Sequence, residues 1–136
     1  MKKFGSKSGF TLVELIVVIA ILGILAGIAV PTYSGYIKKA REATDLTQLD
    51  AVKTAVDFAF IENSVQADKD TASLQSITVS QSGSTDATIT VSGTESVTVS
   101  DDDINSYYNI SAFRFQSDNN TATWTSTAGK WTLEKK

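Results

Sequence analysis

The chain of 136 residues has no cysteine, no histidine and a single proline, Pro31. Without cysteine there is no thiol nucleophile, and without histidine no imidazole base. The usual Cys/His zinc sets are excluded with them. Neither a G-x-x-x-x-G-K-[ST] phosphate loop nor a G-x-G-x-x-G fingerprint occurs. Basic residues are few: 12 Lys and Arg stand against 15 Asp and Glu, for a formal net charge of −3. Beyond the N-terminal Lys2, Lys3 and Lys7, only Lys38, Lys39 and Arg41 cluster, which argues against a general nucleic-acid-binding face. Nothing in this composition calls for a cofactor.

Charge is scarcest near the start. The 21 residues from Phe10 to Val30 carry one ionisable side chain, Glu14. As a helix they measure about 30 Å, enough to cross the hydrocarbon core of a bilayer. A short hydrophilic stretch with Lys2, Lys3 and Lys7 precedes them, and Pro31 follows. A carboxylate in mid-bilayer costs roughly 2.5–3.5 kcal/mol on insertion scales, and ionisable groups placed there usually serve a function.

The junction Gly9-Phe10-Thr11-Leu12-Val13-Glu14, followed by an aliphatic run reaching Pro31, resembles the class III leader of type IV pilins and pseudopilins. The resemblance covers about residues 7–36 and implies processing by a prepilin peptidase. That enzyme would cut between Gly9 and Phe10 on the cytoplasmic side and methylate the new Phe10 amine. The apolar segment would be kept, first as a membrane anchor and then as the core of a helical filament. Cleavage would remove three lysines and take the formal charge to −6 before the new amine is counted. The resemblance also implies that Glu14 meets a Phe10 amine, either its own at the i, i+4 spacing of one helix or that of an adjacent subunit. It further implies that the stretch from Gly23 to Pro31 loses helicity on assembly. The disulfide loop of many Gram-negative pilins is absent.

Two other readings fit parts of this segment. A secretory signal with a cleavage site after Ala29 explains the lysines and the small residues, but leaves Glu14 without a reason. An uncleaved single-pass anchor requires neither Gly9-Phe10 nor Glu14. The lysines do not fix orientation, because Lys38, Lys39 and Arg41 balance Lys2, Lys3 and Lys7 across the run.

Beyond Pro31 the pattern becomes amphipathic. Tyr33, Ile37, Ala40, Leu46, Leu49, Val52, Val56, Ala59 and Phe60 recur every three or four positions, predicting a helix with one buried stripe to about Asn63. Lys38, Lys39, Glu42, Asp45, Lys53, Asp57 and Glu62 fall largely on the other faces. Pro31 lacks an N–H and predicts a kink. Gly23 and Gly27 form a small-xxx-small pair that permits close helix approach.

Over residues 71–100, 15 of 30 side chains are Ser or Thr, yet apolar residues alternate among them, which favours strands over disorder. Ile77/Val79, Ile89/Val91 and Val97/Val99 each mark a strand. Gly83-Ser84-Thr85-Asp86 and Gly93-Thr94-Glu95 mark turns. Phe113/Phe115, residues 121–125 and residues 130–133 complete an expected meander, with Trp124 opposite Trp131 across Thr127-Ala128-Gly129. Ser100 with Asp101, Asp102 and Asp103 predicts a capped helical turn before Tyr107 and Tyr108. These three carboxylates are also the candidate calcium ligands, although their spacing is not that of an EF-hand. Asn109-Ile110-Ser111 and Asn119-Asn120-Thr121 fit the glycosylation sequon.

The expected fold is therefore α+β: a long N-terminal helix, transmembrane in its first half and amphipathic in its second, packed on a C-terminal antiparallel sheet. The segments are a cleaved leader at 1–9, a membrane or filament-core helix at 10–30, an amphipathic helix at 31–63 and a β-rich head at 64–136. The resemblance implies a structural, non-enzymatic pilin subunit polymerising with other copies into a surface filament for adhesion, twitching motility or DNA uptake. The alternatives are a pseudopilin of a secretion or competence system and a secreted β-rich binding protein. Its implied partners are the prepilin peptidase, the membrane and, indirectly, the pilus assembly platform and its ATPase. The precursor would sit in the inner or cytoplasmic membrane with its head outside.

Overall fold

A computed structural model describes residues 9–69, 72–83, 85–95 and 97–135. The expected leader, except Gly9, lies outside the described residues, as do Ser84 of the first turn and Thr71. The chain divides into two compact units, Met1–Lys38 and Lys39–Lys136. Helix α1, Leu12–Gln66, contributes to both and contains Pro31.

In the second unit α1 turns a buried stripe of Leu49, Val52, Ala55, Val56, Ala59 and Phe60 inward. All but Ala55 are residues that the three-and-four spacing selects. The stripe is shorter than the pattern suggested, since Leu46 is 38% exposed and Ala40 is on the surface; in the first unit Tyr33 is exposed as well. Asp45, expected on a solvated face, is fully buried. It is held there by bonds to a segment more than seventy positions away. The helix ends in a Schellman motif. Lys69 N–H reaches Ser64 C=O at 2.8 Å and Asp68 N–H reaches Val65 C=O at 3.1 Å, with Asp68 at φ 55° in the left-handed region.

The sheet comprises β1 (Leu74–Ser80), β2 (Thr88–Gly93), β3 (Thr121–Thr125) and β4 (Trp131–Glu134), all antiparallel in the order β2-β1-β3-β4. It is two hairpins laid side by side through β1 and β3, not the expected meander. The register lines up two apolar rows, Ile89–Val79–Ala122–Leu133 and Val91–Ile77–Trp124–Trp131. Together with Leu49, Val52, Ala55, Val56 and Ala59 of the helix and with Ile104, Ile110 and Phe113 they form one core. Each large side chain fully buried in it contributes about 1.5–3 kcal/mol. The β3–β4 turn uses Gly129 at φ 63°, where a side chain would be strained.

Two expected strands do not form. At Val97/Val99 the backbone is taken up locally and by α1. Val97 N–H bonds to Glu95 C=O at 2.7 Å, and the Asn63 amide donates to Thr98 C=O at 2.9 Å. Val99 still packs against the core. At Phe113/Phe115 a short 3₁₀ helix, Ile110–Ala112, is followed by chain whose N–H groups bond to side chains. Phe115 N–H reaches Gln81 Oε1 at 3.2 Å and Gln116 N–H reaches Asp45 Oδ1 at 2.6 Å. The two rings meet edge-on at 5.0 Å.

Trp124 and Trp131 are cross-strand partners as expected, but the described ring–ring contacts are Phe58–Tyr107 and Phe113–Phe115. Each indole is instead engaged by α1. Trp131 Nε1 donates to Asp50 Oδ1 at 3.1 Å, and Lys53 Nζ stands 4.5 Å from the Trp124 ring centre.

Candidate functional site

Among the described residues of the first unit no apolar side chain is fully buried, and Ile37 alone is half-buried. Phe10 is 85% exposed and Val30 66%, and the large side chains between them are exposed as well. Among the described residues α1 is the one helix long and apolar enough to cross a membrane. A surface of this kind needs lipid or protein around it.

At its start the chain arranges its own polar groups. Leu12 is the first helical residue, so Thr11 precedes the helix and Glu14 is its third residue. Glu14 Oε2 accepts the Thr11 N–H at 2.7 Å and the Thr11 hydroxyl at 2.8 Å. The Glu14 N–H in turn donates to Thr11 Oγ1 at 3.3 Å. This reciprocal capping box satisfies donors that an apolar medium would leave unpaired. Its signal is the spacing Thr11-x-x-Glu14, which the sequence reading passed over. Phe10 stands outside the helix, so in the uncleaved chain the i, i+4 relation between Phe10 and Glu14 does not arise. The carboxylate turns back onto Thr11 instead.

Gly23 and Gly27 lie one turn apart, and the position of a Cβ on either has nothing within 4 Å. Pro31 removes the N–H that would bond to the Gly27 carbonyl. Nearby hydroxyls fold back on the helix, Thr32 Oγ1 to Ile28 C=O at 3.1 Å and Ser34 Oγ to Pro31 C=O at 2.8 Å. The structure thus places Gly9, Phe10, Glu14, Gly23, Gly27 and Pro31 on one unit without joining them into a pocket.

The acidic run serves a different end. Helix α2, Asp101–Asn105, is capped by Ser100, whose hydroxyl accepts the Asp103 N–H. Asp103 Oδ2 accepts the Ser100 N–H and hydroxyl at 2.7 Å each, and the Asn63 amide at 3.1 Å. The Ser100 backbone bond, then its hydroxyl, then Asn63 hold the Asp103 carboxyl below its ordinary value. Asp101 and Asp102 point to solvent. Among the described residues no group of three or more acidic side chains is arranged to hold a metal ion.

Residues 5–30 match the profile of the prokaryotic N-terminal methylation motif. The chain is 53% identical over 57 residues to fimbrial protein Q of Moraxella bovis, covering 42% of this chain and 36% of that one. Against a fimbrial protein of Pseudomonas aeruginosa it is 42% identical over 57 residues, 42% of this chain and 37% of the relative. Against the type II secretion system core protein G of Vibrio cholerae it is 43% identical over 65 residues, 48% of this chain and 44% of the relative. The chain thus spans less than half the length of these relatives. No solved structure matches it.

Proposed function

We propose that this chain, whose N-terminal segment is that of the type IV pilin and pseudopilin family, is a structural subunit that polymerises into a type IV pilus-like surface filament. One observation carries the reading: a Gly9-Phe10 junction placed ahead of an exposed apolar helix that retains Glu14. A prepilin peptidase would cleave there and methylate Phe10, and the helix would pass from the membrane into the core of a homopolymer. Glu14 would pair with the Phe10 ammonium of an adjacent copy. At about 4 Å and an effective dielectric near 20 such a pair attracts by about 4 kcal/mol, similar to the cost of inserting the charge. Gly23 and Gly27 would let neighbouring helices approach closely. The role asks for no catalysis by the chain, and the precursor would be a single-pass membrane protein with its head outside.

Native cells expressing the chain should yield a protein beginning at Phe10, and shearing should release filaments containing it. Glu14→Val should be cleaved and folded but should give few or no filaments. A mature chain beginning at Val30 would overturn the reading in favour of a secreted protein cleaved after Ala29.

The match to core protein G supports a second reading, a pseudopilin that builds a shorter filament. Neighbouring genes separate the two. An assembly ATPase beside a retraction ATPase indicates pili, and secretion components indicate a pseudopilus.

A further inference from the structure

Both hydrogen bonds from Thr11 fall on one oxygen of Glu14, Oε2. Among the described residues none falls on Oε1. An ionised carboxylate offers about four lone-pair sites, so the pinned side chain keeps an acceptor free. We propose that Thr11 is a positioning residue for assembly: it fixes the Glu14 carboxylate through Oε2 and leaves Oε1 to accept the Phe10 ammonium of a second copy. This rests on the filament reading above and adds to it the residue that sets the geometry of the contact.

The cap survives processing. Cleavage between Gly9 and Phe10 leaves the Phe10–Thr11 peptide bond intact, so the Thr11 N–H and hydroxyl remain in place in the mature chain. The new ammonium sits one residue before them. A methylated Phe10 ammonium still carries two N–H donors, and one suffices for Oε1. The arrangement also acts on order. A glutamate has three side-chain torsions, and holding it in advance removes entropy that assembly would otherwise have to take out. In an apolar surrounding, a carboxylate already bonded through one oxygen does not have to break those bonds to receive its partner.

A helix cap alone would not require a hydroxyl. Glycine caps helices nearly as well as threonine, with a loss of only a few tenths of a kcal/mol relative to the polar caps. Thr11→Val and Thr11→Gly keep the backbone N–H on Oε2 but lose the hydroxyl, the second bond that fixes the carboxylate, whereas serine supplies it. Cells should therefore express wild type, Thr11→Val, Thr11→Gly, Thr11→Ser or Glu14→Gln as the sole copy. Sheared filament is measured per copy of chain cleaved at Phe10, so that any effect on the peptidase drops out. The expected result is a loss of about tenfold or more for Thr11→Val and Thr11→Gly, with Thr11→Ser within about twofold of wild type. Thr11→Val or Thr11→Gly assembling like wild type while Glu14→Gln does not would overturn the proposal. So would Thr11→Ser failing as badly as Thr11→Val. Absence of filaments from the wild type would instead remove the filament reading itself.

Discussion

The carboxylate of Asp45 lies 2.6 Å from the backbone N–H of Gln116, 71 positions later in the chain. The same side chain accepts the Ser117 N–H at 3.1 Å and the Ser117 hydroxyl. A fully buried carboxylate on α1 thus ties down the segment that leads into β3. Three bonds to one buried acceptor offset the desolvation of that acceptor and give the segment a fixed place without a strand partner.

Asp45→Ala should therefore destabilise the head by about 2–4 kcal/mol, because the Gln116 and Ser117 N–H groups lose their acceptor. For a unit of about 100 residues this lowers the thermal midpoint by about 10 °C or more. Asp45→Asn keeps one acceptor oxygen and should lose less. The measurement is thermal unfolding of a head fragment beginning near Tyr36, which should be soluble and monomeric. An unchanged midpoint in Asp45→Ala would mean that water serves those N–H groups as well as the carboxylate does.

Much of the molecule was legible because it is governed by local pattern. The apolar run, the Leu49–Val52–Val56–Phe60 stripe and the alternation at Ile77/Val79 and Ile89/Val91 reflect periods that burial imposes. The Trp124–Trp131 register followed from the length of its turn. What escaped was set by distant partners. Alternation at Val97/Val99 looks like a strand until Asn63 takes the Thr98 carbonyl, and Asp45 looks solvated until its acceptor role is known. At the candidate site the proposed processing and assembly roles rest on the order of Gly9, Phe10, Glu14 and Pro31 in the chain. The Thr11 cap was readable too, through its spacing to Glu14.

Gly93 is fixed by the ring it faces. A Cβ there would stand 2.7 Å from both Cε2 and Cζ of Phe60 and 3.2 Å from the Ser73 carbonyl. Phe60 is 3% exposed. Gly93→Ala should cost about 1–3 kcal/mol through overpacking. Trimming the ring in Gly93→Ala/Phe60→Leu should recover part of it, and a double-mutant cycle on midpoints would read the coupling. Purely additive losses would show that the ring yields.

Acid should act on the head through Asp103. Its carboxyl is held below the ordinary value of 3.8 by Ser100 and Asn63. A depressed folded value means that the contribution is complete above the unfolded value and is lost as pH falls through the folded one. The advantage of wild type over Asp103→Asn should hold steady from neutral pH to about pH 5 and shrink below about pH 3.8. Midpoints measured across that range decide it; a difference that stays constant into acid would remove Asp103 from the acid limb.

The stretch from Gly23 to Pro31 is helical in the isolated chain but has little to hold it so. Gly23 and Gly27 each disfavour helix by about 1 kcal/mol relative to alanine, and Pro31 leaves the Gly27 carbonyl without its intrahelical donor. Among the described residues nothing stands within 4 Å of a Cβ placed on either glycine. In a filament, where neighbours supply other contacts, the balance should tip and residues 23–31 should extend. Alanine remains small, so Gly23→Ala/Gly27→Ala mainly restores helix propensity while largely preserving close approach. That variant should give fewer sheared filaments, or filaments whose density keeps these residues helical and whose subunit rise differs from wild type. A wild-type filament map with unbroken helix through Pro31 would show that assembly does not draw on this weakness.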